Sequence, residues 1–303
     1  MNPEQTAEAA TPAREHKNTS MRGSPLHRFV RRFVPSGALL TFNPLFKFAL
    51  NTADLLPRAV VKGFRGLPPA HLRMRVGVGD EILSNQLQFF YSSHFWIFAF
   101  AERWVRFDSN IVDLGCGCGR YAHHLRDINT LGQSYTGHYT GVDIDGEALA
   151  WCRRNYDERF TWLDSSDKSH TYGKADIPAA EAPYRLPIED GTQDFIFSTS
   201  LFTHLLEPEA RNYLKESGRI LRKGGIISHS VFCIDYPPPT YGTRHTFKHQ
   251  MGLARVESLE SPEAAVAYTE ADLFRMAEEA GFTNCRIVTG KGVTQPHLVA
   301  EKA

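Results

Sequence analysis

From Asn110 to the C-terminus, short apolar runs alternate with amphipathic stretches. The runs predict strands at about 110–114, 138–142, 159–163, 193–199, 225–232, 284–290 and 295–301. Residues near 119–128, 145–156, 207–222 and 269–281 place their apolar positions at helical spacing. Strand and helix taking turns at this pace imply a mostly parallel sheet covered by helices on both faces. The last two strands are separated by only Gly290, Lys291, Gly292 and a few more residues. So short a link cannot make a parallel crossover, so these two strands should pair antiparallel as a C-terminal hairpin. The fold class expected is α/β: seven strands, mostly parallel, with helices on both faces and a helical extension at the N-terminus.

Upstream the pattern is less regular. Asp80 to Val105 reads as one long helix rich in aromatic residues, a stripe that suits a core. Leu55 to Val76 is punctuated by proline and reads as an irregular connection. Leu26, Phe29, Val30, Phe33 and Val34 fall on one helical face, with Arg28, Arg31 and Arg32 on the other. Met1 to Pro25 is polar and expected to be disordered. The expected organisation is therefore a tail at 1–25, an arm at 26–78 and a domain at 79–303. Within that domain, 233–267 interrupts a strand-to-helix connection and reads as a structureless lid or acceptor-pocket insertion.

Charge changes this picture in one respect. The 303 residues carry no net charge, yet residues 21–75 hold ten Lys/Arg against one acid, Asp54. Residues 76–303 hold 22 Lys/Arg against 30 Asp/Glu. A basic arm joined to an acidic body suits an anionic partner, such as a membrane surface met peripherally through residues 26–75. Docking of the arm on its own acidic domain is the other reading. The longest apolar run, Phe95 to Ala101, falls far short of the roughly 20 residues that cross a bilayer. Residues 1–20 lack the apolar centre of a signal peptide, and no paired CxxC spacing is present. A cytoplasmic setting, possible peripheral membrane contact included, is the expectation.

The sharpest chemical feature is VDLGCGCGRY, Val112 to Tyr121. A buried strand ends at Asp113-Leu114, and glycines follow at 115, 117 and 119 before a helix. Glycine is needed where backbone turns tightly and lets a ligand approach, and open α/β sheets bind ligands at the carboxyl ends of their strands. The spacing is G-x-G-x-G and not the G-x-G-x-x-G of dinucleotide enzymes. The next strand ends at Asp143, where a carboxylate can accept hydrogen bonds from both hydroxyls of a ribose. Asp145, two residues on, suits the cap of the following helix.

With these motifs the stretch from Val112 to Phe232 resembles the class I S-adenosylmethionine-dependent methyltransferases, and the tail to Lys302 continues the resemblance. TGVDIDGEALAWCRRN resembles the family's second motif, and LPIEDGTQDFIFSTSLFTHL its fourth-strand motif. LKESGRILRKGG resembles the helix and turn before the fifth strand, and YTEADLFRMAEEAGF the helix before a terminal antiparallel hairpin. The resemblance implies a Rossmann-like fold and S-adenosylmethionine as cofactor. It implies that Asp113, Gly115, Cys116, Gly117 and Gly119 line the methionine moiety and that Asp143 holds the ribose. Asp164, ending FTWLD, is the first choice for the adenine amino group and Glu181 the fallback, because Ala182 stands where the family often has Asp. Ile144 and Leu186 are placed to sandwich the adenine ring.

The acceptor is less legible. His204 in SLFTHL lies just past the fourth strand, where acceptors approach the methyl group, and is the first candidate for a general base. A histidine at a helix start also has a purely structural use. His245 and His249 in the insertion are second choices; their spacing also suits metal, but no third ligand is evident and no metal is expected. DYPPPTY, Asp235 to Tyr241, is similar to the Asp-Pro-Pro-Tyr element of nucleic-acid amino-methyltransferases, but follows the wrong strand. With the acidic body, this disfavours nucleic acid as partner. WCRRN with SLFTHL resembles methyltransferases acting on sugars, polysaccharide ends or lipid-linked glycans. The expected activity is methyl transfer to a small-molecule or glycan acceptor, at oxygen. The alternatives are a non-catalytic S-adenosylmethionine-binding protein and a nucleic-acid methyltransferase; a nicotinamide oxidoreductase lacks its loop spacing and its parallel sheet edge.

Overall fold

Seven strands form the central sheet: β1 (Ile111–Leu114), β2 (Tyr139–Asp143), β3 (Phe160–Asp164), β4 (Gln193–Ser198), β5 (Leu221–Ser230), β6 (Phe282–Val288) and β7 (His297–Lys302). The computed structural model describes residues 41–76, 85–130, 132–165, 184–236, 245–290 and 295–303. The amphipathic stretch 26–34, the tail 1–25, Glu181, Ala182 and Pro237–Tyr241 lie outside the described residues.

The strand order is β6-β7-β5-β4-β1-β2-β3. Strands β1 to β5 run parallel, and β7 is antiparallel to both β5 and β6. This is the expected C-terminal hairpin, inserted between β5 and the sheet edge. Alternation along the strands divides the core. Val112, Leu114, Ile196 and Ile227 face helices α8 (Glu207–Ile220) and α9 (Glu270–Glu279), packing on Leu214 and Met276. Ile111, Phe195, Phe197 and Trp162 face the other way, toward α5 (Ser93–Ala101), α6 (Ala122–Asp127) and α7 (Gly146–Asn155). Strands buried on both faces read as the continuous apolar runs seen in the sequence.

The N-terminal region departs from expectation. Residues 55–76 are not irregular: α1 (Pro44–Ala53) is followed by α2 (Leu55–Val60), a short turn at Lys62–Phe64 and α3 (Ala70–Arg73). Proline starts α1 and lies within the first turns of α2, positions where its missing N–H costs nothing. Asn43 caps α1 by accepting the Leu45 and Phe46 N–H groups. The long helix expected over 80–105 is instead α4 (Asn85–Tyr91) and α5, broken at Ser92. There the Ser93 hydroxyl donates to the Phe90 carbonyl at 2.6 Å, local bonding that competes with the helix. The segment ends at Arg103 in the left-handed region (φ 58°), so Trp104 packs from outside the helix.

Residues 233–267 also differ from the structureless loop expected. Phe232–Cys233, Val266–Tyr268, Ala254–Val256 and His249–Met251 form, in that order, a second, four-stranded sheet. Phe232, Phe247, Ala265 and Ala267 bury one another beneath it. Backbone groups that leave water need partners, and a small sheet supplies them.

Candidate active site

The carboxyl ends of β1, β2 and β3 bring the glycine loop and its acids together. Strand β1 stops at Leu114, and the N–H groups of Gly115 and Cys116 both donate to the Val142 carbonyl, at 2.8 and 3.1 Å. Asp143 closes the loop from the next strand. Its Oδ2 accepts the Gly117 N–H at 2.6 Å and its Oδ1 accepts the Asp145 N–H at 2.8 Å. Gly117 itself has φ +54°, and a Cβ there would lie 2.0 Å from Val76 Cγ1. At Gly119 (φ +77°) a Cβ would lie 2.9 Å from the Tyr156 hydroxyl. Glycine at these positions is thus a requirement of close approach as well as of backbone.

Three carboxylates flank the loop. Asp113 is buried, accepts a hydrogen bond from the Tyr139 hydroxyl, and is pushed by burial up to about 7. Burial also raises Asp143, against the pull of its backbone donors Asp145 and Gly117. Asp164 ends β3 directly opposite Asp143 and is exposed. Ile144 is half-buried in the turn that leads to α7. Asp145 caps that helix as expected, accepting the Glu147 and Ala148 N–H groups. Cys116 points its thiol into the core toward Gly141, so the loop presents its backbone. Leu186 is buried in the core, and its N–H donates to Glu216 at 2.8 Å.

The segment after β4 forms the other wall. Leu201 lies 3.5 Å from where a Cβ on Gly115 would stand, so residues 199–204 border the first turn of the glycine loop. Thr199 donates to the Tyr121 hydroxyl at 3.0 Å. Ser200 is left-handed (φ 62°), held by its N–H to Ser230 Oγ at 2.7 Å and its hydroxyl to Gln295 at 3.0 Å. A serine in that conformation persists only where its surroundings over-determine it, a common mark of a working site. Beyond it, His204 closes a short helical turn at Phe202–His204 and bonds the Glu263 carbonyl through Nδ1 at 2.8 Å. Burial lowers its pKa, against that bond. The other two histidines are placed differently. His245 stacks with Phe247 at 5.5 Å, and His249 is exposed on the outer strand of the second sheet.

One part of the site had no marker in the sequence. The N-terminal segment clamps the start of α7: Arg75 reaches Asp145 at 2.9 Å and Glu147 at 2.7 Å. Lys47 and His71 reach Glu147 at 2.7 and 3.0 Å. Burial works to raise Glu147, but the hydrogen bonds from Lys47, Arg75 and His71 outweigh it and hold it at about 2. Residues 41–76 are therefore docked on the acidic domain, while residues 26–40 of the basic arm lie outside the described residues.

Residues 112–228 match the protein family described as "Methyltransferase domain". Residues 112–228 are a methyltransferase domain, and the seven-stranded sheet with its antiparallel hairpin is the class I fold. The cofactor is S-adenosylmethionine, and the donor set fits that group. Asp143 and the exposed Asp164 end adjoining strands beside the glycine loop, where carboxylate oxygens suit the hydroxyl and ammonium donors of such a ligand. Among solved structures, the methyltransferase resembles an S-adenosylmethionine-dependent methyltransferase from Methanosarcina mazei, at 20% identity over 67% of this chain and 96% of that one (TM-score 0.44). It also resembles an Aquifex aeolicus S-adenosylmethionine-dependent methyltransferase (16%, 67% and 88%, TM-score 0.42). A third is the Burkholderia thailandensis 1,6-didemethyltoxoflavin-N1-methyltransferase, solved with its acceptor and S-adenosylhomocysteine (16%, 74% and 82%, TM-score 0.45).

Proposed function

We propose that this methyltransferase modifies a hydroxyl of a small-molecule or glycan acceptor, with His204 as the general base. The observation that carries the reading is the Nδ1 contact of His204 with the Glu263 carbonyl. A carbonyl only accepts, so the proton sits on Nδ1 and the lone pair on Nε2. The lowered pKa keeps the ring neutral near pH 7, the state a base requires.

The bound cofactor supplies an electrophilic methyl carbon on a cationic sulfur. His204 Nε2 would take the proton of the acceptor hydroxyl as its oxygen receives the methyl group. Asp143 holds the ribose hydroxyls, while Asp113 and the backbone of Gly115, Cys116, Gly117 and Gly119 receive the charged methionine end. Asp164 and Ile144 serve the adenine. The hydroxyl and amide groups of Thr199, Tyr121, Ser200 and Gln295, in and around the segment after β4, support an acceptor rich in hydroxyls.

The test is transfer of labelled methyl from S-adenosylmethionine to a panel of sugars, oligosaccharides and small alcohols, with products read by mass spectrometry. A methyl ether is expected, and His204→Gln should lower kcat by roughly 10²–10⁴-fold with cofactor affinity unchanged. Products methylated at nitrogen, or a His204→Gln enzyme of full rate, would remove this reading.

A further inference from the structure

Helices α1 and α2 run on from one another through Asp54 and bury only one side. Phe46 and Leu50 face inward and pack with Ala70 and Met74. On the outer side Leu45, Phe48, Leu55, Leu56 and Val60 recur at helical spacing and are 80, 73, 63, 72 and 74% exposed. Five large apolar side chains standing in water along one helical stripe form a patch that soluble surfaces rarely keep. The small residues between them are Ala49, Thr52, Ala53 and Ala59, so the stripe contains no charge.

Beside the stripe, Lys47 is paired with Glu147 of α7. Asp54 is the only acid in residues 21–75, and it is turned inward. Arg58 and Arg73 each bond it at 2.6 Å, so it contributes no negative potential to the outer face. Lys62 and Arg65 are exposed just beyond the C-terminal end of the stripe. We infer that α1 and α2 are a docking surface for an anionic lipid bilayer, lying flat with Leu45, Phe48, Leu55, Leu56 and Val60 among the acyl chains. An exposed apolar face with Lys62 and Arg65 at its end suits an interfacial helix. A second copy of the same face brings no acid to Lys62 and Arg65, because Asp54 is paired inward. Among the described residues no helix is long and apolar enough to cross a membrane, so this contact is interfacial. The surface belongs to α1 and α2 and is independent of the acceptor reading. The same segment carries Arg75 and Val76 onto the cofactor loop, so docking also sets how the active site faces the bilayer.

Co-sedimentation of the full chain with phosphatidylglycerol/phosphatidylcholine vesicles, beside pure phosphatidylcholine vesicles, tests this. Binding to the anionic vesicles alone, weakened by salt, is expected. Phe48→Glu with Leu56→Glu should lower the partition coefficient at least about tenfold, while calorimetry shows unchanged S-adenosylmethionine binding and hence an intact fold. Lys62→Glu with Arg65→Glu should weaken anionic binding without altering the apolar stripe. Three results overturn the inference: no binding by the wild type, equal binding by the Phe48/Leu56 variant, or equal partition onto neutral vesicles. A wild-type dimer that the same variant converts to monomer, with no vesicle binding, assigns the face to a second copy instead.

Discussion

Asp143 and Gly117 are joined by a short hydrogen bond, the Gly117 N–H donating to Asp143 Oδ2 at 2.6 Å, although 26 positions separate them in the chain. The carboxylate that ends β2 thereby shapes the loop that follows β1, so the residue proposed to hold the ribose also orders the backbone. Asp143→Ala should weaken S-adenosylmethionine binding by about 1–3 kcal/mol, the usual loss for a charged hydrogen-bond partner. Calorimetric titration of the variant against wild type checks it, and an unchanged affinity would mean that the loop holds its shape without this bond.

Cofactor affinity should also depend on pH. Burial pushes Asp113 up to about 7 and raises Asp143, so near pH 6 Asp113 is mostly protonated in the unliganded protein. A cationic ligand favours the ionised carboxylates, so binding must expel protons at low pH. Affinity should therefore rise between pH 6 and 8. Titrations near pH 6.5 in buffers of different ionisation enthalpy should register proton release; a flat profile would contradict the burial of Asp113.

Val76 and Gly117 make a third test. A methyl group on Gly117 would meet Val76 Cγ1 at 2.0 Å and would sit on backbone at φ +54°. The backbone conflict alone costs about 1–2 kcal/mol. Gly117→Ala should lower both thermal stability and cofactor affinity, and Val76→Gly in the same chain should recover the part that comes from the clash. Purely additive effects in that double-mutant cycle would separate the N-terminal segment from the cofactor loop.

His229 should make the protein acid-sensitive. It is fully buried, bonded to Ser198 Oγ at 3.0 Å and stacked on Phe202, and its Nε2 has no hydrogen-bond partner. Burial lowers its pKa from 6.5 to about 3 in the folded state. The unfolded chain therefore binds a proton that the native state refuses, and stability falls as pH drops below 6.5. The loss is about 1.4 kcal/mol per pH unit down to about 3. His297 and His123, each lowered to about 4, act in the same direction. Denaturant titrations at pH 7.5 and 5 should show His229→Asn to be less stable at the higher pH but flatter between the two.

Much of the catalytic end was legible because it rests on local regularities. Strands buried on both faces must be continuously apolar, so β1 to β5 could be placed within a few residues, and the acid at the end of β2 followed from its strand. The antiparallel pairing of β6 and β7 followed from loop length alone. By contrast, His249 was considered as a base on residue type and spacing, and the structure sets it on an exposed outer strand. His204 is set apart by its place in SLFTHL after β4, and there it is half-buried and bonded to the Glu263 carbonyl.

What the sequence by itself determined was therefore the order of the elements, the antiparallel hairpin, and the glycine loop with its neighbouring acids, since each follows from periods of 2 or 3.6 residues and from backbone sterics. Only the tertiary structure decided that His249–Met251, Ala254–Val256 and Val266–Tyr268 join Phe232–Cys233 in a sheet, that residues 41–76 dock through Arg75, Lys47 and His71 onto α7, and that Val76 meets Gly117. For the N-terminal segment the physical reason is distance along the chain: Val76 and Gly117, like Lys47 and Glu147, lie tens of positions apart. Whether a charge is paired inward, as Asp54 is, or an apolar face left outward, as on α1 and α2, depends on which surfaces the folded chain brings together.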